Sequence, residues 1–148
     1  MNNLIKYDKK ACACAVSLDL LGDKWSILIV RDIFRGKKTF SEFLNLSDEG
    51  IASNILINRL KKLLDLGIIN FRRSEIDKKV KEYYLTDRGI DLYPIICELQ
   101  RWTLKNVEFE YSDNTKLWKE ELKNSSIEEI VNQKQENYKD LRFKTFGF

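Results

Sequence analysis

The stretch Gly50-Ile-Ala-Ser-Asn-Ile-Leu-Ile-Asn-Arg-Leu-Lys-Lys-Leu-Leu-Asp-Leu-Gly-Ile-Ile69 decides the fold. It opens on one glycine and nears its end at another, Gly67. Between them Ile51, Ile55, Leu60, Leu63 and Leu64 recur at helical spacing, which predicts an amphipathic helix from about Ser53 to Leu66. The opposite face carries Ser53, Asn54, Asn58, Arg59, Lys61 and Lys62, with no acid before Asp65. A buried apolar face needs neighbours, and a basic polar face invites a question about use.

The neighbours lie on either side. Upstream, Thr39-Phe-Ser-Glu42 has the spacing of a capping box, in which the threonine hydroxyl and the glutamate carboxylate each accept an orphan amide. Phe40, Phe43 and Leu44 would form the inner face of that short helix. Before it, Lys24 to Phe34 is apolar nearly all round at its start, which predicts a central buried helix closed by Gly36. Before that, Val16, Leu18, Leu20 and Leu21 mark a further short helix ending near Gly22. Downstream the period changes. Residues 67–75 and 78–86 alternate around a charged tip, which predicts a two-stranded hairpin. Thr86 then precedes a long helix lined by Leu92, Ile95, Ile96, Leu99, Trp102 and Leu104. Pro94 must kink that helix or mark its true start.

A short capped helix, a turn and an amphipathic helix make a helix-turn-helix, and a basic hairpin directly after it makes a wing. The expected class is therefore mostly α with a small β-hairpin. We expect a domain over residues 1–106 and a helical extension over 107–148, packed on the domain or on a dimer partner. In the extension Leu117, Trp118, Leu122, Ile127, Ile130, Val131, Tyr138 and Leu141 are the sparse apolar positions, and Ser126 with Glu129 is a second capping-box pattern.

Composition narrows the function. The chain has 148 residues, 43% hydrophobic and 33% charged, as expected of a globular protein with a true core. It contains no histidine. That removes imidazole acid–base catalysis, the common Ser-His and Cys-His nucleophiles and mixed Cys/His zinc sites, so an enzyme is not expected. Three cysteines without a zinc spacing predict neither a metal nor a cofactor, and an odd number fits a reducing compartment. No run approaches the ~18 apolar residues of a membrane span. Asp8, Lys9 and Lys10 interrupt the start, so no signal peptide is expected, and the default location is the cytoplasm. Residues 1–106 carry 19 basic and 14 acidic side chains, whereas 107–148 carry 7 and 9. The excess of base is modest, so its placement matters more than its size.

Taken in order, Cys12, Leu18-Asp-Leu-Leu-Gly-Asp-Lys-Trp25, Ile27 to Phe43, Gly50 to Leu63, Gly67-Ile-Ile69, Tyr83-Tyr-Leu-Thr-Asp-Arg-Gly89 and Leu92-Tyr-Pro-Ile-Ile96 resemble the HxlR-type winged helix-turn-helix regulators, within the broader MarR-like group. The resemblance covers roughly residues 12–105. It implies a bacterial or archaeal transcription regulator that binds double-stranded DNA as a two-fold homodimer, dimerising through the first helix and the long C-terminal helix. Two departures stand out. Ala52 replaces the usual Ser or Thr cap of the recognition helix, so Ser53 is expected to take over capping. Ala13 replaces the usual Pro after the first Cys, and Cys14 is extra.

On that reading Asn54, Asn58 and Lys61 form one exposed stripe, with Asn suited to adenine and Lys to guanine or phosphate. Ser53, Thr39 and Ser41 offer small hydroxyls to phosphate. Arg59 either reaches outward or turns inward to an acid such as Glu42 or Asp32. Arg73, Lys78 and Lys79 would serve the wing, and Lys37 and Lys38 would lie near the same backbone. Some relatives sense quinones, electrophiles or oxidants through a cysteine at the position of Cys12. Lys9 and Lys10 just before it favour thiolate chemistry; the alternative is a small residue buried near the dimer seam. Cys97 reads as core, Trp25 as a lock between the first two helices, and Tyr93 and Trp102 as core, dimer seam or the lining of a small-molecule cavity. The rival function is a winged-helix protein–protein interaction module that does not read bases.

Overall fold

The structure is a computed structural model that describes residues 3–148 and divides into two compact units, one ending at Thr86 and the other spanning 87–148. Each is described by itself.

The first unit holds α1 (Ala13–Leu21), α2 (Lys24–Phe34), α3 (Phe40–Asn45), α4 (Ser53–Asp65), β1 (Ile69–Arg73) and β2 (Lys81–Leu85). Asp23 starts α2, its carboxylate accepting the amides of Trp25 and Ser26 at 3.1 and 3.0 Å. The Thr39–Glu42 capping box is fully formed at the start of α3. Gly67, at φ +69°, closes α4 in the left-handed conformation that favours glycine. Its amide donates to Leu64 and that of Ile68 to Leu63, the paired bonds of a Schellman stop. The core joins Ile29, Val30 and Ile33 of α2, Phe43 of α3, Leu56, Leu60 and Leu63 of α4, and Ile69, Tyr83 and Leu85 of the hairpin.

Leu56, rather than Ile55, completes the inner face of α4. Ile55 and Leu64 are only half-buried, so the apolar stripe sits one residue round from its expected place. Similarly α2 is not buried all round: Trp25, Ile27, Leu28 and Phe34 are half-exposed.

The hairpin pairs Ile69 with Leu85 and Arg73 with Lys81 in antiparallel register. Phe71 opposes Tyr83 at 5.8 Å between ring centroids, and Phe43 of α3 lies 6.1 Å from the same tyrosine. Aromatic pairs across and behind a strand are a main source of sheet stability. The outer edge of β2 is bonded to the turn before α3, where the Tyr83 amide donates to the Lys38 carbonyl at 2.6 Å. The wing is thereby fastened to the helix-turn-helix.

In the second unit Pro94 falls in the first turn of α6 (Tyr93–Asn106), where its missing N–H costs nothing. The stretch before it forms only a short helix, α5 (Asp87–Ile90). The proline therefore marks a true helix start. The Thr86 hydroxyl, at the end of the first unit, donates to the carbonyls of Gly67 and Ile68 at the root of the hairpin.

Two further helices follow, α7 (Asp113–Asn124) and α8 (Ile127–Phe146), started by the hydroxyls of Ser112 and Ser126. Trp118, Ile130, Val131 and Tyr138 join Ile90, Leu92, Tyr93, Ile96 and Cys97 in one core. The Gln135 carboxamide donates to the Ile90 carbonyl, and Lys134 of α8 pairs with Glu121 of α7. The compact unit that holds α7 and α8 thus begins at Asp87, with Tyr93, Ile96 and Cys97 of α6 in its core.

Candidate nucleic-acid interface

The site is built from α3, α4 and the hairpin. With Leu56, Leu60 and Leu63 turned inward, α4 exposes Ser53, Asn54, Ile57, Asn58 and Lys61 on its free side. Ser53 does not cap the helix. Ala52 occupies the cap position without a side-chain bond, and Ser53 is the first helical residue, so the shift of start expected from the sequence does not occur. A helix start without a side-chain cap keeps its amide dipoles for an outside anion.

Arg59 takes the inward alternative, but its partner is Asp23 rather than Glu42 or Asp32. Its Nε donates to the Asp23 carboxylate at 2.7 Å, and its Nη1 donates to Asn58 Oδ1 at 2.5 Å. Lys62 reaches the other oxygen of Asp23 at 3.2 Å. One carboxylate therefore caps α2, accepts the Ser26 hydroxyl at 2.7 Å and holds two cations of α4. Partial burial alone would raise its pKa. The bonds from Ser26, Arg59 and Lys62 outweigh that and hold the carboxyl well below the usual carboxylate range. Asp23 is the residue beneath α4 that sequence reasoning missed. An Asp directly before an apolar helix is a cap signal, and the signal was present in Gly22-Asp23-Lys24.

A second carboxylate network sits behind the turn. Arg31 binds Glu49 with both ends of its fork, at 2.9 and 2.7 Å, and also Asp32 at 2.8 Å. Bidentate pairing of this kind fixes geometry as well as charge. The Arg31 hydrogen bond is the main reason that the Glu49 carboxyl lies below its ordinary value. Lys37 completes the network, with its ammonium 3.3 Å from Asp32 and donating to the Leu46 carbonyl. Lys38 pairs with Glu82 at 3.0 Å, and Arg72 meets the same carboxylate at 3.3 Å. Lys37 and Lys38 thus serve the internal structure of the turn.

Of the hydroxyls, Thr39 is engaged in the capping box, whereas Ser41 is exposed and accepts from Asn45. At the wing, Arg73, Lys78 and Lys79 are all exposed. The tip is held by Ser74, whose hydroxyl accepts the amides of Ile76 and Asp77, and by Asp77, which accepts the Lys79 amide at 3.0 Å. Arg73 Nη1 lies 3.3 Å from the Lys78 carbonyl.

Cys12 and Cys14 are exposed, with Cys12 at the cap position of α1. Cys97 is buried, and burial pushes its thiol up. Tyr93 is core, as one expectation had it, but Trp102 is 63% exposed. Among the described residues no cluster of Cys, Asp or Glu is arranged to hold a metal ion, and no helix is long and apolar enough to cross a membrane.

A capped short helix, a turn, an amphipathic helix with a free polar face and a basic hairpin bonded to its base define a winged helix-turn-helix protein. Residues 20–111 match the HxlR-like helix-turn-helix family, and the chain belongs to it. It is 34% identical over 86 residues to MT3179 of Mycobacterium tuberculosis, named an HTH-type transcriptional regulator. The match covers 58% of this chain and 53% of that relative, so the chain spans about half the length of that protein. Among solved structures it is similar to the reduced form of the transcriptional regulator YodB from Bacillus subtilis. That likeness has 29% identity and a TM-score of 0.56, and covers 67% of this chain and 97% of that one. It is equally similar to the oxidized form of the redox regulator HypR, with 29% identity and a TM-score of 0.57, covering 66% and 100%.

Proposed function

We propose that the chain is a sequence-specific transcription regulator that binds double-stranded DNA as a homodimer on a pseudo-palindromic operator. The observation that carries this reading is the free face of α4. It is polar and basic, has no carboxylate before Asp65, and stands in the same unit as an exposed basic wing. Asn54, Asn58 and Lys61 are the base-reading candidates, and Ser41, Ser53, Arg73, Lys78 and Lys79 the backbone contacts. Thr39 contributes by shaping the start of α3, and Arg59 by holding α4 to Asp23.

Two surfaces support the homodimer. The helix α1 has no buried residue, and Leu18 on it is 64% exposed. Ile95, Leu99 and Trp102, at helical spacing on α6, are exposed beside Pro94 and Thr103 in one apolar groove. Contiguous apolar patches of this kind mark association sites. Modification of Cys12 by an oxidant or electrophile would couple to that seam; its exposure at the start of α1 and the similarity to the redox regulator HypR support the idea. A small ligand in the same groove is the other route of control. Such a regulator works in the cytoplasm.

Selection from a pool of randomised duplexes tests the reading. A two-fold consensus with half-site centres one turn apart, ~34–36 Å, is expected. Recovery of no common sequence would contradict base reading.

A further inference from the structure

Ile57 is 60% exposed on α4. A lone exposed isoleucine is ordinary on a protein surface. This one differs in its neighbours. Ser53 and Asn54 lie one turn before it and Lys61 one turn after, so it stands inside the polar stripe and apart from the inward row of Leu56, Leu60 and Leu63. A β-branched side chain in a helix is held near one rotamer, so its methyl groups are presented in a fixed direction.

Resting on the DNA reading above, we propose that Ile57 is a specificity-determining residue that reads the C5-methyl group of a thymine in the major groove. The chemistry matches on both sides. Adenine offers its N6 and N7 edge to an asparagine carboxamide, and the thymine paired with adenine is the one base that presents a methyl group in that groove. Asn54 and Ile57 adjoin on α4, so the polar and the apolar half of an A·T-rich step can be read by adjacent side chains. The wing of the same unit supplies exposed cations, and α4 itself brings no acid that would repel the duplex until Asp65. The occupant is therefore duplex DNA with thymine in each half-site. A protein surface, which would cover the isoleucine just as well, is the alternative that the test separates.

The test uses the full chain and a site selected from randomised duplexes. Each thymine of one half-site is replaced in turn by deoxyuridine, which removes the methyl group and nothing else. The wild-type protein should lose about fourfold in affinity at one position, the effect of one methyl group leaving an apolar contact. Ile57→Ala should bind the thymine and the uracil duplex equally, and should melt like the wild type because the side chain is exposed. If the wild type is indifferent to every replacement, or if Ile57→Ala keeps the same loss, the assignment is wrong while the DNA reading stands. If the wild type selects no consensus at all, both fall.

Discussion

Asp23 joins four residues through two oxygens, Trp25 and Ser26 of α2 and Arg59 and Lys62 of α4, and so ties the two helices together beside their apolar contact. Asp23→Ala should cost about 1 kcal/mol for the lost cap alone, and somewhat more once Arg59 and Lys62 lose their partner. Asp23→Asn keeps an acceptor for the cap and loses only two half-exposed ion pairs, worth about 0.5 kcal/mol each. Urea unfolding of the two variants should therefore rank wild type, Asn, Ala. Equal stability of all three would show that the carboxylate organises nothing.

The same group fixes a pH dependence. Its folded pKa is depressed, so its contribution is present above the unfolded value of about 3.9 and fades as pH falls through the folded value. Glu49 and Glu82 are depressed in the same sense, Glu82 because Lys38 and Arg72 outweigh its burial. The unfolding midpoint should stay level between pH 7 and 5 and drop below pH 4, and Asp23→Asn should shrink that drop. Sequence reading foresaw that Arg59 could turn inward. It could not choose the acid, because Asp23 lies 36 positions away in the chain and the pairing exists only once α2 and α4 have packed.

At the scale of elements, α4 ends where it does because Gly67 can take a positive φ. Gly67→Ala should cost about 1 kcal/mol, the usual penalty of a left-handed alanine, and should lower the thermal midpoint by a few degrees. An unchanged midpoint would mean that the helix stop is set elsewhere. The hairpin carries a different expectation. Lys78→Glu with Lys79→Glu changes no buried group, so stability should hold while DNA affinity falls similarly for every sequence, with a shallower salt slope. Unaltered DNA binding would remove the wing from the interface.

Helices, caps and the hairpin were legible because they rest on local rules: a threonine three residues before a glutamate, a glycine after the last leucine, an alternation of period two. The exact face of α4 was not. Six of its first twelve residues, counting from Ser53, are polar or basic, and Ile55, Leu56 and Ile57 are consecutive. Periodicity alone cannot say which of three adjacent aliphatic residues points inward. Packing against α2 and α3 selects Leu56 and leaves Ile57 outside.

For the whole molecule, the sequence boundary at residue 106 followed charge and sparse hydrophobicity, and such composition cannot show which helix a tail will cover. The tail proves to have its own core around Trp118 and Tyr138, built on α6. Assembly follows from the surfaces that remain. Trp102→Glu sets a charge in the exposed apolar row of α6, and sedimentation should show a shift from dimer towards monomer. A variant that sediments like the wild type would move the seam away from α6.

The most direct measurement of the central claim is fluorescence anisotropy of a selected duplex, titrated with the full chain from 50 to 200 mM salt against scrambled competitor. Tight binding that survives the competitor is expected, weakening on the order of 10³-fold over that range, as about six neutralised phosphates per dimer require. Binding that the scrambled duplex erases, or that ignores salt, would contradict the claim.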